Sequence, residues 1–275
     1  MPELPEVEVC RRGLLPHVEG QRIDGAVVRF PRLRHELPAD LGATLAGRTI
    51  AALERRGKYL LFDCRRGADR GWLIVHLGMS GNLRLVETDR PPQRHDHVDL
   101  LLPGAVLRYS DPRRFGVIDW WPGAAPDRHP LLAVLGVEPL AAEFTGDWLY
   151  AATRRRGSAI KTVLMDSHLL VGVGNIYASE SLFRAGISPL RAASRIGRAR
   201  CAELAAAVRA TLGAAIAAGG SSIRDYLHSD GSSGYFQLEC AVYGRAGAAC
   251  RRCGGAIRQI RQGGRSPFYC PACQH

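Results

Sequence analysis

The sequence predicts an α+β protein of more than one domain, on three observations. Residues 22–120 hold short β-prone runs separated by turns. Residues 147–218 turn helical. The tail from Cys240 carries four cysteines in two CxxC pairs. Short strands at that spacing predict an antiparallel sandwich or barrel. The chain has 275 residues, 46% of them hydrophobic, which is ample for two packed cores.

Each element has its own signal. Pro5 opens a helix over residues 5–17, with Val7, Val9, Leu14 and Leu15 as apolar positions. Strands are expected at 26–30, 59–64, 72–77, 98–102, 106–109 and 117–121. The Pro/Gly-rich stretch 122–139 reads as a linker region. Asp147 is the expected cap of a helix reaching about Arg155, and Ser158 of another running through Met165. A third helix is expected over 175–185 and an alanine-rich fourth over 198–218, stopped by Gly219-Gly220.

The formal charge of +11 predicts a polyanionic partner, nucleic acid ahead of an acidic membrane surface. No apolar stretch approaches the ~18–20 residues of a membrane span, and the start is not a signal peptide. A cytosolic, reducing location is therefore expected, which makes the eight cysteines thiols or metal ligands rather than disulfides. Lys58 and Lys161 are the only lysines among 37 basic residues. Either they survive a coding bias by chance, or their sites need a compact charge on a flexible stem.

The sharpest local signal is Cys250-x-x-Cys253 and Cys270-x-x-Cys273, with sixteen residues between the pairs. This is the spacing of a structural zinc site with four thiolates and no position open for catalysis. It staples a tail that carries Arg258, Arg261 and Arg265, suited to phosphate contacts. Cys10, Cys64, Cys201 and Cys240 lack ligand spacing and read as buried thiols.

Three further constellations are weaker alone. Trimming of Met1 would leave Pro2 with a secondary amine, a nucleophile toward aldehyde-like carbons, beside the carboxylic acid of Glu3. Chain ends by themselves are more often frayed than catalytic. Residues 171–177 (VGVGNIY) join two expected helices, and their glycines offer backbone N–H groups to a phosphate; a plain packing joint is the commoner use. Residues 76–81 (HLGMSG) and 111–116 (DPRRFG) are turns presenting Met79, Arg113 and Phe115. Such side chains either sit in the core, the usual fate of Met and Phe, or wedge into a base stack.

Taken together, the chain resembles the formamidopyrimidine-DNA glycosylases end to end. The motifs are 1–8 (MPELPEVE), Gly57-Lys58-Tyr59, 76–81, 95–99 (HDHVD), 111–116, 172–180 (GVGNIYASE), 229–236 (SDGSSGYF) and the four-cysteine tail. The resemblance implies an N-terminal antiparallel β-sandwich with flanking helices (1–134) and a linker (135–146). A helical domain with a helix–two-turn–helix (147–239) and a zinc finger (240–275) follow. It implies excision of oxidised purines from duplex DNA, followed by strand cleavage at the abasic site. Pro2 would form a Schiff base with C1′ and Glu3 would act as acid. Lys58 and Arg265 would hold phosphates beside the lesion. Met79, Arg113 and Phe115 would fill the space of the extruded base. His76, His95, Lys161, Asn175 and Tyr243 would complete the DNA-binding set, and Glu6 would line the base pocket.

One zinc ion, a monomer, damaged double-stranded DNA as partner, no membrane, and a cytoplasmic location at the nucleoid complete the expectation. Where the family often has lysines, this chain has Arg154-Arg155-Arg156, which keeps the charge but not the lysine. The sister endonuclease VIII family acts on oxidised pyrimidines and typically begins PEGPE; Leu4 and the 111–116 motif favour the purine enzyme. A non-enzymatic zinc-ribbon nucleic-acid binder would share the charge and the cysteines, but has no use for Pro2-Glu3.

Overall fold

The computed structural model describes residues 2–220, 240–261 and 264–275. The chain divides into two compact units. One holds the chain up to Ala133 with Gly219 and Gly220; the other holds Val134–Ala218 and the described residues from Cys240 onward.

In the first unit, helix α1 (Leu4–Val18) buries Leu4, Val7, Leu14 and Val18, one stripe at helical spacing. Strands β1 (Gly25–Val28), a short helix α2 (Leu41–Leu45), β2 (Thr49–Arg56), β3 (Tyr59–Arg66), β4 (Asp69–His76), β5 (Asn82–Val86), β6 (Asp96–Leu102), β7 (Ala105–Ser110) and β8 (Val117–Pro122) follow. They form two antiparallel four-stranded sheets, ordered β1-β6-β7-β5 and β2-β3-β4-β8. Leu60, Phe62, Leu73 and Val75 of one sheet and Leu83, Val98, Leu100 and Leu107 of the other share one core with α1. The expected sandwich is therefore present.

Strands β2 and β5 and helix α2 lie outside the runs with a clear sequence signal. Arg55 and Arg56 break the apolar signal of β2, and β5 follows the glycines of 76–81 directly. The supposed linker is not wholly irregular: it includes a 3-10 turn (Pro126–Arg128) and helix α3 (Pro130–Ala133).

The second unit contains α4 (Gly146–Thr153), α5 (Ile160–Leu164), α6 (Asn175–Arg184) and α7 (Arg198–Ala217). Two cap assignments need correction. Thr145, not Asp147, caps α4, its Oγ1 accepting from the Trp148 N–H at 3.0 Å. Helix α5 begins after Ala159 rather than Ser158 and lasts barely more than a turn. Arg154 is tied to structure: it donates to the carbonyls of Ser194 (2.7 Å) and Ile196 and lies over the Tyr150 ring. The tail adds a small hairpin, β9 (Arg258–Gln259) with β10 (Phe268–Tyr269).

Candidate active site and nucleic-acid interface

In the first unit, Pro2 and Glu3 are buried at the start of α1. The Glu6 carboxylate accepts the Glu3 N–H at 2.7 Å, closing a capping box in which each side chain meets the other's backbone. Proline near the helix start costs nothing there, because the first N–H groups lack partners in any case. The motif thus fixes Glu3 beside Pro2 with local bonds alone. Gly220 adopts φ +80, and a Cβ there would lie 3.4 Å from Glu6 Oε1, so a backbone turn passes close over this carboxylate. The rest of the 219–233 loop and the 229–236 motif lie outside the described residues.

Lys58 sits in the two-residue turn between β2 and β3, where Gly57 supplies the positive φ of 56° that such hairpins need. Arg55 donates to the Gly57 carbonyl at 3.1 Å and to Glu8 on α1 at 3.0 Å, tying the turn to the helix. His76 ends β4, its ring 4.7 Å from that of Tyr59. The Gly78 N–H donates to His76 Nδ1 at 2.9 Å, which puts the proton of the neutral ring on Nε2. Burial first, then the charges of Lys58 and Arg34, push the His76 pKa down to about 4. His76 is thus an uncharged donor at neutral pH, within the field of Lys58.

The two turns beyond it meet. A Cβ on Gly78 would lie 2.5 Å from the backbone of Phe115 and Gly116, so only glycine permits this approach. Phe115 is 44% exposed with the Arg113 guanidinium 4.8 Å from its ring centre, and Met79 is half-buried. The core placement that Met and Phe usually take does not occur here. Arg114 has a left-handed φ of 55°, a conformation costing roughly 1–2 kcal/mol for a side-chain-bearing residue. Half-buried His95 receives the Asp111 N–H on its carbonyl at 3.0 Å.

In the second unit, α5 and α6 flank the glycine turn. Buried Lys161 donates from Nζ to Asn175 Oδ1, and Asn175 Nδ2 donates to the Ser266 carbonyl at 3.2 Å. Asn175 thereby links the first turn of α6 to the segment carrying Arg265. Lys161, Arg265, Arg156 and Ser158 line a cavity of about 390 Å³, with Arg156 paired to Asp166 at 3.2 Å. Glu180 on α6 accepts the N–H groups of Ala241, Val242 and Tyr243 at 2.8–2.9 Å. Tyr243 packs against Phe268, ring centres 5.1 Å apart.

The sulfurs of Cys250, Cys253, Cys270 and Cys273 all lie within 4.8 Å of one another, with Cys253–Cys270 at 3.5 Å and Cys250–Cys273 at 3.9 Å. A tetrahedron of ~2.3 Å Zn–S bonds has edges of about 3.8 Å, so the four thiols fit one zinc ion. At Cys250 burial raises the thiol pKa, but the N–H groups of Arg252 and Cys253 and the neighbouring thiols outweigh it and draw it down to about 7. The other four cysteines are buried and none forms a disulfide, and burial pushes Cys64 up to about 12.

Family models for the formamidopyrimidine-DNA glycosylase N-terminal domain, the H2TH domain of the same enzymes, and a zinc finger found in FPG and IleRS match residues 1–118, 135–226 and 247–275. A formamidopyrimidine-DNA glycosylase of Dechloromonas aromatica is 62% identical over the whole of both chains.

The chain belongs to the formamidopyrimidine-DNA glycosylase family.

Among solved structures, a Lactococcus lactis FPG variant in complex with Fapy-dG-containing DNA superposes with a TM-score of 0.92 at 36% identity, covering 100% of both chains. The L. lactis Fpg in complex with DNA containing an abasic site gives 0.90 at 35%, covering 99% of each. As a formamidopyrimidine-DNA glycosylase the chain is a DNA glycosylase with one structural zinc ion. Three carboxylates that sequence reasoning did not single out are buried and hydrogen-bonded: Glu8 and Asp111 in the first unit and Glu180 in the second. Each lies inside a motif, but an acidic residue in a motif does not announce whether it faces solvent or three donors.

Proposed function

We propose that this enzyme excises oxidised purines such as 8-oxoguanine and formamidopyrimidines from duplex DNA, then cleaves the abasic strand through a Schiff base at Pro2. The observation that carries the reading is Glu3, buried and bound into the first turn of α1, one peptide bond from Pro2. Once Met1 is removed, the Pro2 nitrogen attacks C1′, the glycosidic bond breaks and the base leaves. Glu3 protonates the ring oxygen, which opens the sugar and leaves an iminium on C1′. That cation acidifies the adjacent C2′ proton, so the 3′ phosphate and then the 5′ phosphate depart by successive eliminations.

Lys58, His76, His95 and Arg113 of the first unit, and Lys161, Asn175, Tyr243 and Arg265 of the second, hold the backbone around the lesion. Met79, Arg113 and Phe115 occupy the space the base vacates, offsetting part of the few kcal/mol that extrusion costs. Glu6 lines the base pocket. The functional divisions are 1–134, 135–146, 147–239 and 240–275. The enzyme works as a monomer at the nucleoid; no helix among the described residues is long and apolar enough to cross a membrane.

Borohydride reduction during turnover on an 8-oxoguanine·C duplex, followed by mass spectrometry of the adduct, tests this. The expected product joins DNA to residue 2 of a protein lacking Met1, and Pro2→Gly abolishes it. Glu3→Gln should lose base excision. A cross-link elsewhere, or full activity of both variants, overturns the assignment. Faster turnover of thymine glycol than of 8-oxoguanine would move the enzyme to the pyrimidine class.

A further inference from the structure

Met79, Arg113 and Phe115 come from two loops more than thirty positions apart, yet a wedge works only if its parts keep their spacing while bases press on it. One side chain joins the loops. The Asp111 carboxylate is completely buried. Its Oδ1 accepts from Ser80 Oγ at 2.7 Å, in the loop of Met79, and from the Arg113 N–H at 3.2 Å. Its Oδ2 accepts from the Gly116 N–H at 2.9 Å and from Tyr109 Oη at 3.2 Å. Ser80 Oγ lies 3.3 Å from the Arg113 N–H as well. The backbone of Asp111 is fastened separately, its carbonyl 2.9 Å from His97 Nε2.

Four neutral donors thus converge on one buried carboxylate, and no lysine or arginine among the described residues forms an ion pair with it. A buried charge held by neutral donors alone is a costly arrangement for packing. Its geometry does something packing cannot: it holds the left-handed Arg114 turn closed and locks it to the other loop.

We propose that Asp111 is the positioning residue that makes the two loops one rigid wedge, setting the rate at which a damaged base is everted and its space filled. This rests on reading Met79, Arg113 and Phe115 as the void-filling set. Asp111 touches no DNA in this role; it acts through Ser80, Arg113 and Gly116.

The test uses the full-length zinc-bound enzyme and two substrates. An 8-oxoguanine duplex with a fluorescent base beside the lesion reports eversion and excision. A preformed abasic site in single-stranded DNA needs neither eversion nor void filling. Asp111→Asn keeps the shape but turns an N–H₂ toward the loop donors. It should slow eversion and duplex excision about 10- to 100-fold, since displacing reacting groups by ~1 Å can cost roughly 10²-fold. Borohydride trapping on the abasic strand should stay at the wild-type rate. In a Phe115→Ala background Asp111→Asn should add little, because both act through the wedge.

Equal losses with and without Phe115, or a parallel loss on the abasic strand, would show a merely structural role and overturn the proposal. So would normal eversion. If Asp111→Asn fails to fold, Ser80→Ala decides: it cuts one strut and should give a smaller slowing confined to the duplex. If Phe115→Ala itself leaves duplex excision unchanged, it is the wedge reading that fails.

Discussion

Glu8 anchors the N-terminal site, and removing its charge should have a calculable effect. The buried carboxylate accepts from Arg11 at 2.9 and 3.1 Å, Arg12 at 2.8 Å and Arg55 at 3.0 Å. Arg11 also reaches the Leu53 carbonyl and Arg55 that of Gly57, so one carboxylate on α1 governs where β2 and the Lys58 turn lie. Burial raises the Glu8 pKa, but the bonds from Arg11 and Arg12, the charge of Arg11 and the bond from Arg55 outweigh it and bring it from 4.5 to about 2. A folded-state pKa below the unfolded value means that ionisation favours the fold. That contribution is complete above pH ~4.5 and disappears as pH falls toward about 2.

The drop corresponds to about 3 kcal/mol unscreened, and solvent around Arg12, which is 61% exposed, reduces it to about 1–2 kcal/mol. Glu8→Gln, the same shape without the charge, should lose that amount at pH 7. Urea unfolding followed by tryptophan fluorescence measures it, with both proteins at each pH. Loss of zinc in acid affects both alike and cancels in the difference. The gap should close between pH 4.5 and 2; a gap that stays constant over that range would refute an origin in the Glu8 charge.

Two further outcomes are expected. Cys253→Ser should lower bound zinc from one equivalent to less and weaken DNA binding while the helical circular dichroism of α4–α7 persists, because four-thiolate zinc supplies roughly 10–16 kcal/mol to finger folding; full metal content or unchanged affinity would count against the site. Gly116→Ala should destabilise the enzyme by about 1–3 kcal/mol, since its Cβ would fall 1.7 Å from Tyr109 Oη and 2.7 Å from the His76 carbonyl; an unchanged melting temperature would contradict the close approach of the two loops.

Much of the molecule was legible in its residues because the signals are short-range. A CxxC pair brings two sulfurs together within one turn, so the zinc site needed only spacing. Helices α1, α6 and α7 follow from local periodicity and breakers. Caps were less certain: Thr145 and Asp147 are both competent, and geometry two residues apart chose between them.

The sequence by itself determined the fold class, the family and the metal, and it nominated the residues proposed to carry the chemistry. What only tertiary structure decided is which side chains leave the core and what holds them there. The residues of 111–116 alone leave Phe115 open between core and wedge; the Asp111 carboxylate, reached from Ser80 across 31 positions, closes its turn and leaves the ring exposed. Nothing in the residues around Glu8 shows that Arg55, 47 positions away, meets its carboxylate. Burial and long-range hydrogen bonding depend on how sheets and loops come together, and no pattern along a single segment encodes that meeting.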